Sequence, residues 1–192
     1  GLIAVTAAGQ RFTNEADSYY DFVSGMLAAT PAAPAGLPVQ AWLVCDHAFI
    51  RHYGLGAVKP APMPMGAMLR NGYLQRGATL ADLAQACGID AAGLQATVVR
   101  YNQQALTGVD ADFAKGDTPY NQVQGDAASG YPNPCMAPLL QGPFYAVKVV
   151  PGSLGTFAGI VADEQGRALD AQGQAIPGLY AAGNDRASVM RG

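Results

Sequence analysis

The segment from Asp90 to Gly108 carries the most regular hydrophobic pattern in the chain. Its apolar residues recur at the spacing of one helix face: Leu94, Val98, Tyr101 and Ala105. Asp90 is a residue type that caps helix N-termini, so the helix is predicted to begin directly after it. A helix with one apolar side needs other elements to cover that side, and the rest of the chain must supply them.

Strand-like apolar runs lie near both ends of the chain. The run GLIAV opens the sequence and is followed by a turn at Ala8-Gly9 and a second short strand, which together predict a hairpin. Gln40–Asp46 and Pro143–Gly152 have the character of further strands. In the tail, turns at residues 164–166 and 172–173 separate three more short apolar runs.

Helices are predicted between these strands. One begins near Asp17, with Asp17 or Ser18 as its N-cap, and the prolines from residue 31 onward end it. The other predicted segments are helices at 46–54 and 79–88 and loops at 55–72 and 109–142. Short strands combined with helices predict the α+β class.

Composition excludes several classes of protein. Half of the residues are hydrophobic and 13% are charged, which is typical of a globular domain and not of a disordered chain. A formal net charge of -3 gives no electrostatic basis for binding nucleic acid or an anionic membrane. No apolar run approaches the roughly 20 residues that a membrane-spanning helix needs.

The cysteine and histidine pattern does not indicate a metal site. Cys45, Cys87 and Cys135 include no CxxC pair and no pair at metal-ligand spacing. An odd number of cysteines is typical of a reducing compartment, so we expect a cytoplasmic protein. His47 and His52 are five residues apart, which does not place them on one helix face.

Three stretches of the chain resemble a known family. The tail DEQGRALDAQGQAIPGLYAAGND resembles the C-terminal flavin-binding segment of the fumarate reductase and succinate dehydrogenase flavoprotein superfamily. GLIAVTAAGQRFTNEADSYYDF is similar to the segment that opens the family's capping domain, where a GxRFxNE motif recurs, and GPFYAVKVVPGSLGTFAG is similar to the strand and loop leading from cap to flavin. The resemblance implies FAD as cofactor, residues 1–150 as an α+β substrate-capping domain with short sheets and several helices, and residues 151–192 as the returning hairpin and strand of the FAD-binding domain.

Two branches of the superfamily differ at the substrate. Dicarboxylate enzymes carry an arginine a few residues after the Asn-Glu pair and a histidine in the loop before the last hairpin. Here the first place holds Tyr19 and the second holds Leu154-Gly155, neither of which pairs with a carboxylate. The patterns NExxxY and PGxLGT, together with Asn184 where dicarboxylate enzymes have Glu, instead resemble the 3-ketosteroid dehydrogenases.

The resemblance implies the following site residues: Tyr19 as catalytic base, Phe22, Leu154 and Gly155 at the substrate, and Gly183 and Asn184 at the flavin. The implied substrate is a small apolar, steroid-like ketone, and the implied reaction removes a hydride to the flavin and a proton to the tyrosine. Because a free tyrosine has a pKa near 10, this base needs a neighbouring positive charge or hydrogen-bond donor. The electron acceptor is not indicated.

Each of these residues also has an ordinary structural interpretation. By spacing alone Tyr19 is a packing aromatic, and Tyr20 is predicted to be structural. Leu154-Gly155 also fits a plain turn, and Asn184 also fits a cap for the next element. The Asn14-Glu15 pair is expected to hold the cap hairpin by hydrogen bonds without touching substrate.

The GxGxxG motif that binds the FAD pyrophosphate does not occur in this chain, since Gly54–Pro60 has only its first two glycines. The chain starts without Met and stops after SVMRG, so we expect it to be a piece cut from a longer protein. We also expect the isolated chain to bind no flavin and to show no turnover. Two alternatives stay open: fumarate reductase-like reduction of an unsaturated acid, and a non-catalytic binding or interaction module.

Overall fold

A computed structural model describes residues 1–30, 39–152 and 158–187, which form two compact units, residues 1–151 and 152–192. The elements of the first unit are β1 (Leu2–Val5), α1 (Tyr19–Ala29), β2 (Ala41–Cys45), α2 (His47–Tyr53), α3 (Gly66–Arg70), β3 (Leu74–Gly77), α4 (Leu80–Cys87), α5 (Ala91–Thr107), α6 (Pro119–Val123) and β4 (Phe144–Val149). Helices and strands alternate along this unit, which confirms the predicted mixture of the two.

The strands of the first unit form an antiparallel sheet in the order β1-β2-β4-β3. In the centre of the sheet, Val44 of β2 lies opposite Ile3 of β1 and opposite Ala146 of β4. All three side chains are fully buried, because they lie on the face of the sheet that α4 and α5 cover.

Alternation along β4 divides the core into two clusters. Phe144 and Ala146 belong to the cluster beneath α4 and α5, whereas Tyr145 and Val147 belong to the cluster beneath α2. Since successive strand residues point to opposite faces, a strand covered on both faces has no exposed side. This explains why the first four residues of β4, Phe144 to Val147, are apolar without alternation, and Lys148 is exposed only near the end of the strand.

The predicted helix after Asp90 is confirmed. It is α5, and its buried residues are Leu94, Val98, Tyr101 and Ala105, as the periodicity predicted. Asp90 caps it by accepting a hydrogen bond from the Gly93 amide at 2.8 Å. The helices predicted at 46–54 and 79–88 are α2 and α4, and each is capped: the side chains of Asp46 and Thr79 each accept from a first-turn amide.

Parts of the first unit differ from the predictions. The predicted hairpin is reduced to a single antiparallel bridge between Val5 and Arg11 across the turn at Gly9, and the ladder of β1 forms with β2. Short helices α3 and α6 interrupt the predicted loops, and β3 was not predicted at all. These three elements have four or five residues each, too few for a periodic pattern to show.

The second unit contains the hairpin of β5 (Arg167–Leu169) and β6 (Ala175–Tyr180), followed by a short 3-10 helix at Gly183–Asp185. Both predicted turns are present, since Gly166 and Gly173 adopt positive φ of 78°. The first of the three predicted tail strands is reduced to isolated bridges at Ile160 and Ala162. Throughout the part of the chain that the structure describes, no helix has the length and apolar character needed to cross a membrane.

Candidate functional site

Tyr19 is the first residue of α1 and is 66% exposed. The helix begins there because Ser18, and not Asp17, is its N-cap: the Ser18 hydroxyl oxygen accepts a hydrogen bond from the Asp21 amide at 3.2 Å. The same hydroxyl donates to the Asp21 carboxylate at 2.7 Å. The phenol therefore projects from the start of a well-capped helix instead of packing in the core.

Phe22 lies one turn further along α1 and is half-buried. Its ring packs edge-on against Phe12, with the ring centroids 5.3 Å apart. This contact joins α1 to the segment that precedes it, and Gly25 lets the two approach closely, since a Cβ there would stand 3.1 Å from the Phe12 carbonyl oxygen. The structure thus gives Phe22 a packing partner, while its contact with substrate stays a prediction.

The Asn-Glu pair before α1 is buried and engaged in hydrogen bonds. Asn14 donates from Nδ2 to the Asn121 Oδ1 at 2.9 Å and accepts from the Ala16 amide at 2.9 Å. Glu15 accepts from the Ala4 amide at 2.9 Å through Oε1. The pair therefore connects β1, the entry to α1 and the loop around α6.

Glu15 also belongs to a buried cluster of four charged side chains, which we call the ionic cluster: Arg11, Glu15, Asp110 and Lys115. Arg11 pairs with both carboxylates, and the Lys115 Nζ donates to Glu15 at 3.0 Å and to the Leu2 carbonyl at 2.9 Å. All four side chains are at most 5% exposed. Since the cluster holds two cations and two anions, it is electrically balanced.

The charges in the ionic cluster stabilise one another against the cost of burial. Burial alone raises the pKa of Glu15, but the Lys115 ammonium and the Arg11 guanidinium outweigh it and lower the pKa to about 2. Burial alone lowers the pKa of Lys115, but the Glu15 carboxylate outweighs it and raises the pKa. Glu15 and Lys115 therefore stay ionised near neutral pH.

The Tyr101 ring contacts both cations of the ionic cluster. The Arg11 guanidinium carbon is 5.2 Å from the ring centroid and the Lys115 Nζ is 5.7 Å from it. Such cation–π contacts favour cations in a desolvated position. Because Tyr101 belongs to α5, the cluster fastens the RFTNE segment to the main helix of the core.

Sequence reasoning did not find Asp110, Lys115 or Asn121. All three lie in the stretch 109–142 that was predicted to be a polar loop. Long-range pairing of a loop residue leaves no periodic signal in a sequence. The only hint in the sequence was the presence of an aspartate and a lysine in the loop that follows α5. Their presence does not show which residues they pair with.

The remaining predicted site residues lie at or beyond the start of the second unit. Gly183 and Asn184 belong to the exposed 3-10 helix after β6, where Asn184 is the middle residue and Ala182 is the N-cap. Leu154 and Gly155 lie outside the described residues. The predicted roles of all four at substrate and flavin stay predictions.

The two histidines near Cys45 have protein partners of their own. His47 Nδ1 is 3.0 Å from the Tyr145 hydroxyl, and the His52 ring packs against Tyr53 with centroids 4.4 Å apart. Within residues 1–30, 39–152 and 158–187, no three His, Cys, Asp or Glu side chains gather as a metal site.

Comparison with known proteins identifies relatives across the whole chain. The 4-oxocyclohex-2-ene-1-carboxylate 5-dehydrogenase of Sinomonas cyclohexanicum is 44% identical over 100% of this chain and 32% of its own length. The 3-oxosteroid 1-dehydrogenase of Mycolicibacterium smegmatis is 37% identical over 99% of the chain and 34% of its own length. This chain therefore spans about a third of the length of these relatives.

A solved structure shows the same arrangement of elements. The 3-ketosteroid delta1-dehydrogenase from Sterolibacterium denitrificans, in complex with 1,4-androstadiene-3,17-dione, matches 99% of this chain and 34% of its own chain, with a TM-score of 0.86 and 39% sequence identity. A model of the FAD binding domain family matches residues 1–192. The chain therefore belongs to the FAD binding domain family, in agreement with the flavoprotein resemblance of its sequence.

Proposed function

We propose that the full-length protein is an FAD-dependent dehydrogenase that forms a carbon-carbon double bond next to the ketone of an apolar cyclic substrate. The observation that carries this proposal is the position of Tyr19, whose phenol is exposed at the first position of a helix with a buried, hydrogen-bonded entry. Membership of the family and the named activities of the relatives support the reaction class.

In this proposal the Tyr19 phenolate removes a proton from the carbon beside the ketone. The carbonyl acidifies that C–H bond, so the electron pair can form the new double bond as the adjacent carbon loses a hydride. When bound, FAD supplies the hydride acceptor. Because a free tyrosine has a pKa near 10, an exposed phenol has to acquire a donor or cation when the site is assembled.

Two residues of the second unit, Gly183 and Asn184, are suited to contact a flavin. Gly183 has a φ of +58°, and no described atom lies within 4 Å of the place that a Cβ would take. The main chain there is open to a flat ring, and the neighbouring Asn184 offers a polar amide at an exposed position. We assign Gly183 and Asn184 to flavin contact, the first unit to substrate capping, and Phe22, Leu154 and Gly155 to the substrate side.

Substitution of Tyr19 in the full-length protein tests the catalytic assignment. With a ketosteroid substrate and a dye acceptor, Tyr19→Phe is expected to lower kcat by about 100-fold or more, since a positioned base contributes on that scale. Tyr20→Phe, a matched change at the next residue, should leave kcat close to the parental value. Parental turnover in Tyr19→Phe would refute the assignment.

A ring ketone that carries a carboxylate is a second candidate substrate. The observation that favours it is the identity to the Sinomonas cyclohexanicum enzyme, which is named for such a compound. A panel of a ketosteroid, 4-oxocyclohexanecarboxylate and fumarate with reduced viologen separates the classes. Turnover of either ketone supports a dehydrogenase, turnover of fumarate alone supports the reductase alternative, and absence of flavin and turnover supports a binding module.

A further inference from the structure

We propose that Asn121 is a positioning residue for Tyr19. It acts through Ala16 and Asp17, which lie directly before the N-cap of α1. This inference rests on the proposed function of Tyr19. Asn121 itself is far from Tyr19 in the sequence.

The Asn121 side chain is fully buried, and both ends of its amide are used. Its Nδ2 donates to the Ala16 carbonyl at 3.1 Å and to the Asp17 Oδ1 at 2.7 Å. Its Oδ1 accepts from the Asn14 Nδ2 at 2.9 Å and from the Gly116 amide at 3.0 Å. An amide can make both sets of contacts because it carries two donors and one acceptor oxygen with two lone pairs.

Three of these four bonds go to the segment that enters α1. Asn14 is bonded in turn to the Ala16 amide, so Asn121 and Asn14 hold both polar groups of the Ala16 main chain. Ser18 caps the helix directly after this segment. These bonds therefore set the direction in which α1 starts. They also set the position of the Tyr19 main chain, from which the side chain extends.

The rest of α1 makes few buried contacts, so the segment that precedes the helix has a large influence on its orientation. Among the eleven residues of α1 only Met26 is buried, and Leu27 on the same turn is 51% exposed. Met26, the Phe12–Phe22 ring contact and the close approach of Gly25 to Phe12 attach α1 to the first unit, and the Asn121 network holds the segment directly before the helix. A helix with so little buried surface takes its orientation largely from the segment that precedes it.

The first test is Asn121→Ala in the full-length, flavin-loaded enzyme. Displacement of a catalytic group by about 1 Å costs up to ~100-fold in rate, so we expect kcat to fall between ~10-fold and ~100-fold. The KM for the ketone should change by less than about threefold, because the substitution removes no substrate contact. Flavin content should match the parent.

Asn102→Ala is the matched control. Asn102 is also an amide that bridges two segments, since it donates to the Leu139 carbonyl and accepts from the Leu139 amide, both at 2.8 Å, but it does not touch the entry to α1. At comparable loss of melting temperature, Asn102→Ala should keep kcat near the parental value. Equal loss of kcat in both variants would overturn the proposal and leave Asn121 a purely structural residue.

A double-mutant cycle separates positioning from general destabilisation. In a Tyr19→Phe background, Asn121→Ala should cause no further loss of residual kcat, whereas independent effects would multiply. If Asn121→Ala does not fold, Asp17→Ala removes the 2.7 Å bond alone and should lower kcat by ~3-fold to ~10-fold. Parental turnover in Tyr19→Phe refutes the catalytic assignment of Tyr19 and this inference with it, whereas an inactive Tyr19→Phe with parental kcat in the entry variants refutes this inference only.

Discussion

The guanidinium of Arg11 and the carboxylate of Asp110, 99 residues apart in the sequence, form two parallel hydrogen bonds of 3.0 and 2.8 Å inside the first unit. Neither side chain is more than 4% exposed. The same guanidinium also pairs with Glu15, four residues further along the chain. These ion pairs therefore join the RFTNE segment to the loop that follows the C-terminus of α5.

Replacing Asp110 with alanine should destabilise the protein by about 3–5 kcal/mol, because it leaves the buried Arg11 with an incomplete set of partners. Urea unfolding of the full-length protein measures the change. Asp112→Ala is the control, since Asp112 pairs with Arg100, whose side chain is 62% exposed, and should cost less than about 1 kcal/mol. Similar costs for the two variants would contradict the importance of burial.

Stability should fall as the solution is acidified from about pH 5 towards pH 2. The pKa of Glu15 is about 2 in the folded state against an ordinary value of 4.5, so the unfolded chain binds the proton first and acid favours unfolding. The contribution is fully present above pH 4.5 and is lost as the pH approaches 2. Urea midpoints measured at a series of pH values report this dependence.

Glu15→Gln should flatten that acid dependence while lowering stability near neutral pH, since a neutral amide does not titrate and pairs poorly with two cations. The matched change Glu164→Gln, at an exposed glutamate, should leave the pH profile as it is in the parent. An unchanged profile in Glu15→Gln would show that other groups control acid unfolding.

Gly9→Ala should destabilise the protein far more than Gly88→Ala. Both glycines have positive φ, 71° and 69°, so each alanine pays a backbone cost of about 1–2 kcal/mol. A Cβ at Gly9 would also stand 2.2 Å from the Leu94 amide nitrogen, whereas no described atom lies within 4 Å at Gly88. Thermal melting compares the two, and equal losses would mean that the turn can move away from α5.

Thr79→Ala should lower stability by about 1 kcal/mol through loss of the helix cap. The Thr79 hydroxyl oxygen accepts from the Asp82 amide at 3.1 Å, and the Asp82 carboxylate accepts from the Thr79 amide at 3.0 Å. Thr79→Ser keeps the hydroxyl and should retain most of the stability. Urea midpoints distinguish the two variants, and equal losses would assign the effect to the threonine methyl group.

The helices with strong local signals were predictable. Helices α4 and α5 combine a capping side chain with apolar residues at helical spacing, and both signals lie within a short stretch of sequence. Strand β4 was recognised from its apolar run for the same reason. The motif around Tyr19 was predictable through its resemblance to a family, because the identity of neighbouring residues carries it.

Pairing between distant segments was not predictable. The ladder of β1 forms with β2, while the pairing expected across the Gly9 turn is reduced to one bridge, since pairing depends on which strands share a core. Asn121 was missed because nothing near it in the sequence shows that its amide reaches residues 14–17.

The sequence by itself determined the longer helices α4 and α5 and the family, because these depend on neighbouring residues and on motif identity. Only the tertiary structure decided that Tyr19 is exposed while Asn14 and Glu15 are buried beside residues 107 and 100 positions away. The physical reason is that burial and long-range pairing depend on the packing of the whole unit, and buried polar groups must find their partners wherever the chain brings them.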